Sequence, residues 1–182
     1  MFYFIPRWFQ KNLIHIFVWA AMLIYVAVAT PFHTRYILKD GKAVIFDEEL
    51  PQTTEQISYA VDRIDAIVLR GQNLYNLSGW AFMRGEPDQA AYERFIVLQS
   101  ESRVYFFSSV NNARPDVQAE FTDLHLDLIN TGFSAYISKD VIEPGTYHIG
   151  ILVKHQGNGK IHYTVTEKRI IRTPNKLHLV TP

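Results

Sequence analysis

Seven histidines and no cysteine limit what this chain can do with a metal ion or a covalent nucleophile. The missing cysteine excludes disulfides, thiolate zinc sites and thiol nucleophiles, and it leaves the compartment open. His148, His155 and His162 fall close together and suggest a chelate. They lie in segments that alternate like strands. With the hairpin register argued below, His148 and His162 share a face about six strand positions apart, roughly 20 Å, and His155 points to the other face. Zinc needs imidazole nitrogens at about 2.0 to 2.1 Å, so the three read as exposed strand histidines, with no metal and no cofactor. No Gly-x-Ser-x-Gly elbow, His-Glu-x-x-His helix, phosphate-binding glycine loop or EF-hand pattern occurs. Asp123 and Asp127 sit at helical spacing on a short segment, which fits a solvated face. A carboxylate pair drawn from distant strands would leave no such trace in sequence. The chain is expected not to be an enzyme.

Binding is the alternative use for side chains of this kind. Tyr75 and Tyr92 are candidate exposed rings for stacking on a sugar. Arg114 and Asp116 flank Pro115 in a turn, where an ion pair or a helix cap is the simpler role. Lysine plus arginine equals aspartate plus glutamate, 18 each, so no clustered basic excess points to nucleic acid.

The elements that must position these residues divide at Pro31. From Leu13 to Ala29 the chain is apolar apart from His15, a run of 17 residues. At the helical rise this is about 26 Å, which with mildly polar ends reaches a bilayer core of ~30 Å. The reading is an interfacial tail over 1–11, a transmembrane helix over 12–31 and a stalk over 32–56 with an edge strand at Ala43 to Phe46. Two other readings compete with it. Arg7, Lys11 and Ala27-Val28-Ala29 also fit a cleavable signal peptide, though the apolar run is longer than the usual ~7 to 15 residues of such a segment. A buried core helix would need a polar stripe that this run lacks. Basic residues on both flanks leave orientation by charge undecided, and the acid-free tail favours an inside N-terminus.

After Pro31 the pattern turns to period-two alternation. Tyr147, Ile149, Ile151 and Val153 alternate with His148, Gly150, Leu152 and Lys154. Ile161, Tyr163 and Val165 follow a Gly157-Asn158-Gly159 loop. A three-residue loop sets Val153 opposite Tyr163 and Ile151 opposite Val165, which keeps the apolar faces together. Further strands are expected at Ile57 to Leu69, with a break near Asp62, and at Leu74 to Met83, Arg94 to Gln99, Arg103 to Ser109 and Gly132 to Ser138. Arg94 to Gln99 is apolar on both faces and belongs at the centre of a sheet. Asp116 is placed as the cap of a short helix over Val117 to Phe121. Trp80 beside Gly79 is read as core. The fold class is all-β: an antiparallel two-sheet, Ig-like sandwich over 57–173, with a C-terminal tail over 174–182.

Four short motifs occur in order: Ser78-Gly79-Trp80-Ala81-Phe82, Arg114-Pro115-Asp116-Val117, Thr131-Gly132-Phe133 and Gly145-Thr146-Tyr147-His148-Ile149-Gly150. With them, residues 57–172 resemble the small β-sandwich module of bacterial cell-envelope proteins, often found beside membrane glycosyltransferases and polysaccharide-assembly proteins. The resemblance implies a compartment and a neighbourhood and carries over no active residue. The expectation is a single-pass, membrane-anchored, non-catalytic accessory or docking subunit with its domain outside the cytoplasmic membrane. It would bind the bilayer through its helix and a membrane protein through its domain. The alternative is a carbohydrate-binding module whose partner is an envelope glycan.

Overall fold

The computed structural model describes residues 18–25, 50–69 and 71–181. The chain divides into two compact units, Met1–Leu38 and Lys39–Pro182. In the first, residues 18–25 are helical and carry only apolar and aromatic side chains. Val18, Trp19, Met22, Leu23, Ile24 and Tyr25 are each more than half exposed. The rest of the expected transmembrane span over 12–31 lies outside the described residues, as do the tail over 1–11, most of the stalk and its edge strand at Ala43 to Phe46. Among the described residues no helix is long and apolar enough to cross a membrane.

The second unit is antiparallel β. Its strands are β1 (Ile57–Leu69), β2 (Gln72–Met83), β3 (Tyr92–Gln99), β4 (Val104–Asn112), β5 (Gly132–Ile137), β6 (Gly145–His155), β7 (Ile161–Arg172) and β8 (Leu177–Val180). Pairing runs through all of them in the order β1-β2-β5-β4-β3-β6-β7-β8, and every pair of strands is antiparallel. The ends of this eight-stranded sheet curl toward each other. The Tyr59 hydroxyl of β1 donates to the Val165 carbonyl of β7 at 3.4 Å, and Lys168 Nζ donates to the Val61 carbonyl. The main core lies inside this nearly closed sheet and draws residues from all eight strands, among them Val61, Leu77, Ile96, Phe107, Phe133, Ile151, Ile170 and Leu177.

Described residues on both sides of 57–173 are built into the β unit. Leu50 packs on a second apolar cluster of Val97, Phe106, Leu152 and Tyr163. Thr53 bridges Tyr163, and Thr54 N–H donates to the Tyr163 carbonyl at 2.8 Å, so the end of the expected stalk belongs to the domain. The expected C-terminal tail contains β8, which pairs with β7 from Arg169 to Arg172. A four-residue strand with one apolar position buried, Leu177, gives too short a pattern to stand out from a tail.

The β6–β7 register differs from expectation by one residue. Val153 faces His162, and Ile151 faces Thr164. The connection is a four-residue loop, Gln156 to Gly159, closed by His155 N–H to the Lys160 carbonyl at 2.9 Å. Side chains select it: His155 Nδ1 accepts the amides of Gly157 and Asn158 at 3.0 and 3.3 Å, and Asn158 Oδ1 accepts that of Lys160 at 2.9 Å. A one-residue slip usually exposes an apolar face. Here it does not, because β6 is buried on both faces from Ile149 to Val153. Ile151 and Val153 enter the main core, and Leu152 joins Tyr163 in the second cluster.

Candidate functional site

Of the four sequence candidates, the fold brings two together. Asp62 is the extra residue of a bulge in β1, where pairing with β2 shifts between Val61 and Arg63. The bulge turns its carboxylate to Arg114 Nη1 at 2.7 Å. The same guanidinium makes a forked contact with Asp116, Nε to Oδ1 at 2.9 Å and Nη2 to Oδ2 at 2.6 Å. Its stem crosses Gly132: a Cβ there would lie 2.7 Å from Arg114 Cγ, so only glycine admits it. The fork lowers the Asp116 pKa to about 2, chiefly through its hydrogen bond with Arg114. Asp116 therefore does not cap the helix. That helix, Pro115–Glu120, starts after Arg114 without a side-chain cap, and Asp116 sits within its first turn. The cluster pins β1, the helix and β5, and each of the three guanidinium nitrogens of Arg114 is bonded to a carboxylate.

The other two candidates do not form a sugar platform. Tyr92 is 4% exposed, with His155 edge-on at 4.9 Å, and Tyr75 is half-buried against the main core. Aromatic residues at strand positions are read equally well as exposed or inward until the register is known. Trp80 also differs from its expected place. It lies half-buried on a satellite cluster with Phe82 and Phe121, ring centroids 5.6 and 5.5 Å away, outside the main core. The ring packed on Gly79 is that of Phe133, whose Cζ would meet a Cβ at 2.6 Å.

Two features escaped the sequence. Arg94, at the start of the strand read as apolar, is 1% exposed and takes part in no ion pair among the described residues. Its Nε donates to the Ala81 carbonyl at 2.7 Å, Nη1 to the Tyr92 carbonyl and Asn111 Oδ1 at 3.2 Å each, and Nη2 to the Gln89 carbonyl at 3.4 Å. Burial pushes its pKa down to about 10, so it remains a cation at neutral pH. Gln89 is buried with it and holds Met83 through both its amide and its carbonyl. The only trace in sequence is an arginine opening an apolar run.

The second is an open cleft of about 430 Å³ between the β3–β4 turn, Ser100 to Arg103, and the segment Glu143 to His148. Arg103 Nη2 crosses it to Glu143 Oε1 at 2.7 Å, both side chains half-exposed. Each wall is fixed. The Ser100 amide and hydroxyl bond the Arg103 carbonyl at 2.8 and 3.3 Å, and the Tyr147 hydroxyl donates to the Glu143 carbonyl at 2.8 Å. The Arg103 pKa is raised, first by the Tyr105 phenol and then by Glu143. Burial raises that of Tyr147. Among the described residues no group of three or more histidine, aspartate or glutamate side chains could hold a metal ion. In the observed register His148 and His162 lie on opposite faces of the sheet.

No family model, curated protein or solved structure matches this chain.

Proposed function

We propose that the chain is a membrane-tethered, non-catalytic β module that docks onto a membrane protein partner at the bacterial cell envelope, with the β unit outside the cytoplasmic membrane. The observation that carries this reading is the helical stretch 18–25. Six of its side chains are large apolar or aromatic groups, 55 to 70% exposed, a surface that water does not stabilise and that a bilayer or an apolar partner helix would cover. The second unit needs no such cover, since it has its own core. Its curled sheet is read as two halves packed face to face with β4 at the fold. Support for this comes from the division of β4, whose residues Val104 to Ser108 pair with β3 and Ser109 to Asn112 with β5.

The test is fractionation with topology mapping. The full chain should sediment with membranes and resist carbonate extraction, and protease added to spheroplasts should remove the β unit. A photo-crosslinker at Leu23 or Trp19 should trap lipid or one membrane protein. Release by carbonate would overturn the tether, and full protection from protease would overturn the orientation.

Glycan binding is a second reading, and the cleft under Arg103 and Glu143 is the observation that favours it. It replaces the aromatic platform expected at Tyr75 and Tyr92.

A further inference from the structure

We infer that the cleft between the β3–β4 turn and the start of β6 binds a neutral sugar ring through two adjacent hydroxyls, with Arg103 and Glu143 as the clamp; this rests on the glycan reading. Arg103 and Glu143 meet at 2.7 Å across the cleft with about half of each side chain open to solvent. The pair thus presents donors and acceptors side by side. Each hydroxyl of a gauche vicinal diol both donates and accepts, so one diol can donate to the carboxylate while accepting from the guanidinium without breaking the ion pair.

Charge narrows the ligand class. Glu101 is a second carboxylate on the lining, so two carboxylates, Glu101 and Glu143, stand there against one guanidinium, Arg103. A phosphate or carboxylate would have to displace Glu143 and then face Glu101, and neither step is favourable. An uncharged polyol meets no such barrier, and Thr146 and Ser102 add hydroxyl partners at the rim. Part of the lining is preorganised: His148 is paired with Gln99 of β3, and the Tyr147 ring stands edge-on to Tyr105 with centroids 5.8 Å apart. Tyr147 is 2% exposed, which removes ring stacking as a source of affinity. Binding should therefore be weak, in the millimolar range.

The experiment uses the full chain in phospholipid nanodiscs free of sugar detergents, followed by amide and histidine NMR. The probes are methyl α-mannopyranoside, methyl β-glucopyranoside and N-acetylglucosamine, with inorganic phosphate for comparison. At least one glycoside should give saturable shifts centred on Ser102, Thr146 and His148, and phosphate should give none there. Arg103→Ala and Glu143→Gln, both at exposed positions, should each weaken that binding about tenfold or more. Saturable shifts elsewhere on the domain would overturn the cleft assignment and leave glycan binding standing. Silence with all three glycosides, or binding unchanged in Arg103→Ala, would overturn the clamp, and silence would remove the glycan reading with it. Preferential phosphate binding would overturn the ligand class.

Discussion

Arg94 and Arg114 place the same side chain in opposite surroundings. Arg94 lies inside the curled sheet and gives its donors to neutral oxygens of β2, β3, β4 and the segment before β3. Arg114 lies near the surface, held between two carboxylates from β1 and the short helix. A buried cation with no counter-charge is costly to desolvate and contributes only if every carbonyl it serves would otherwise be left unpaired. A surface ion pair costs little and contributes little. The inner arginine should therefore dominate stability, and the outer one should set how the bulge, helix and β5 sit against one another.

The largest effect expected is at Arg94. Arg94→Ala leaves a cavity and takes the donor from the Ala81 and Tyr92 carbonyls, and should destabilise the domain by roughly 3 to 5 kcal/mol in urea unfolding followed by tryptophan fluorescence. A cost no greater than that of Arg114→Ala would dissolve the contrast.

The aromatic residues sharpen the same distinction between inside and outside. Phe133→Ala, which empties the main core over Gly79, should also cost about 3 to 5 kcal/mol. Trp80→Ala removes a half-buried ring from the satellite cluster and should cost about half as much. Equal losses would mean that the outer face of β2 is as tightly packed as the core.

Arg114→Ala should cost about 1 kcal/mol or less, measured as a small drop in urea midpoint with unchanged slope. Gly132→Ala should cost more than Arg114→Ala, because its methyl group meets the Asn112 carbonyl as well as the arginine stem.

The smallest effect is in acid. Asp116 titrates lower in the folded chain, at about 2, than its ordinary 3.8. A carboxylate with a depressed folded pKa stabilises the fold above the unfolded pKa, and that contribution is lost as pH falls through the folded one. The difference between wild type and Asp116→Asn should be constant above about pH 5 and shrink between about pH 4 and 2. A difference that does not vary with pH would show that the fork carries no charge-dependent contribution.

Much of the strand layout was legible. Strands β1 to β7 lie where alternation put them, the break near Asp62 is the bulge, and β3 is central between β4 and β6. Alternation locates a strand because burial on one face repeats every second residue. Where β6 is buried on both faces that signal vanishes, so alternation does not fix its register with β7. The candidate sites fared worse. The Arg114 and Asp116 pair was visible as neighbours in sequence, but their partner Asp62 is 52 positions away.

By itself the sequence determined the all-β class, the extent of most strands and the absence of cysteine chemistry, because composition and periodicity are local properties. Only the tertiary structure decided which side of each strand faces inward. That choice buried Tyr92, moved Trp80 out of the main core and paired Arg103 with Glu143 across a cleft. The physical reason is that a side chain's role depends on what long-range pairing brings opposite it, and strands far apart in the chain carry no mutual signal in one sequence.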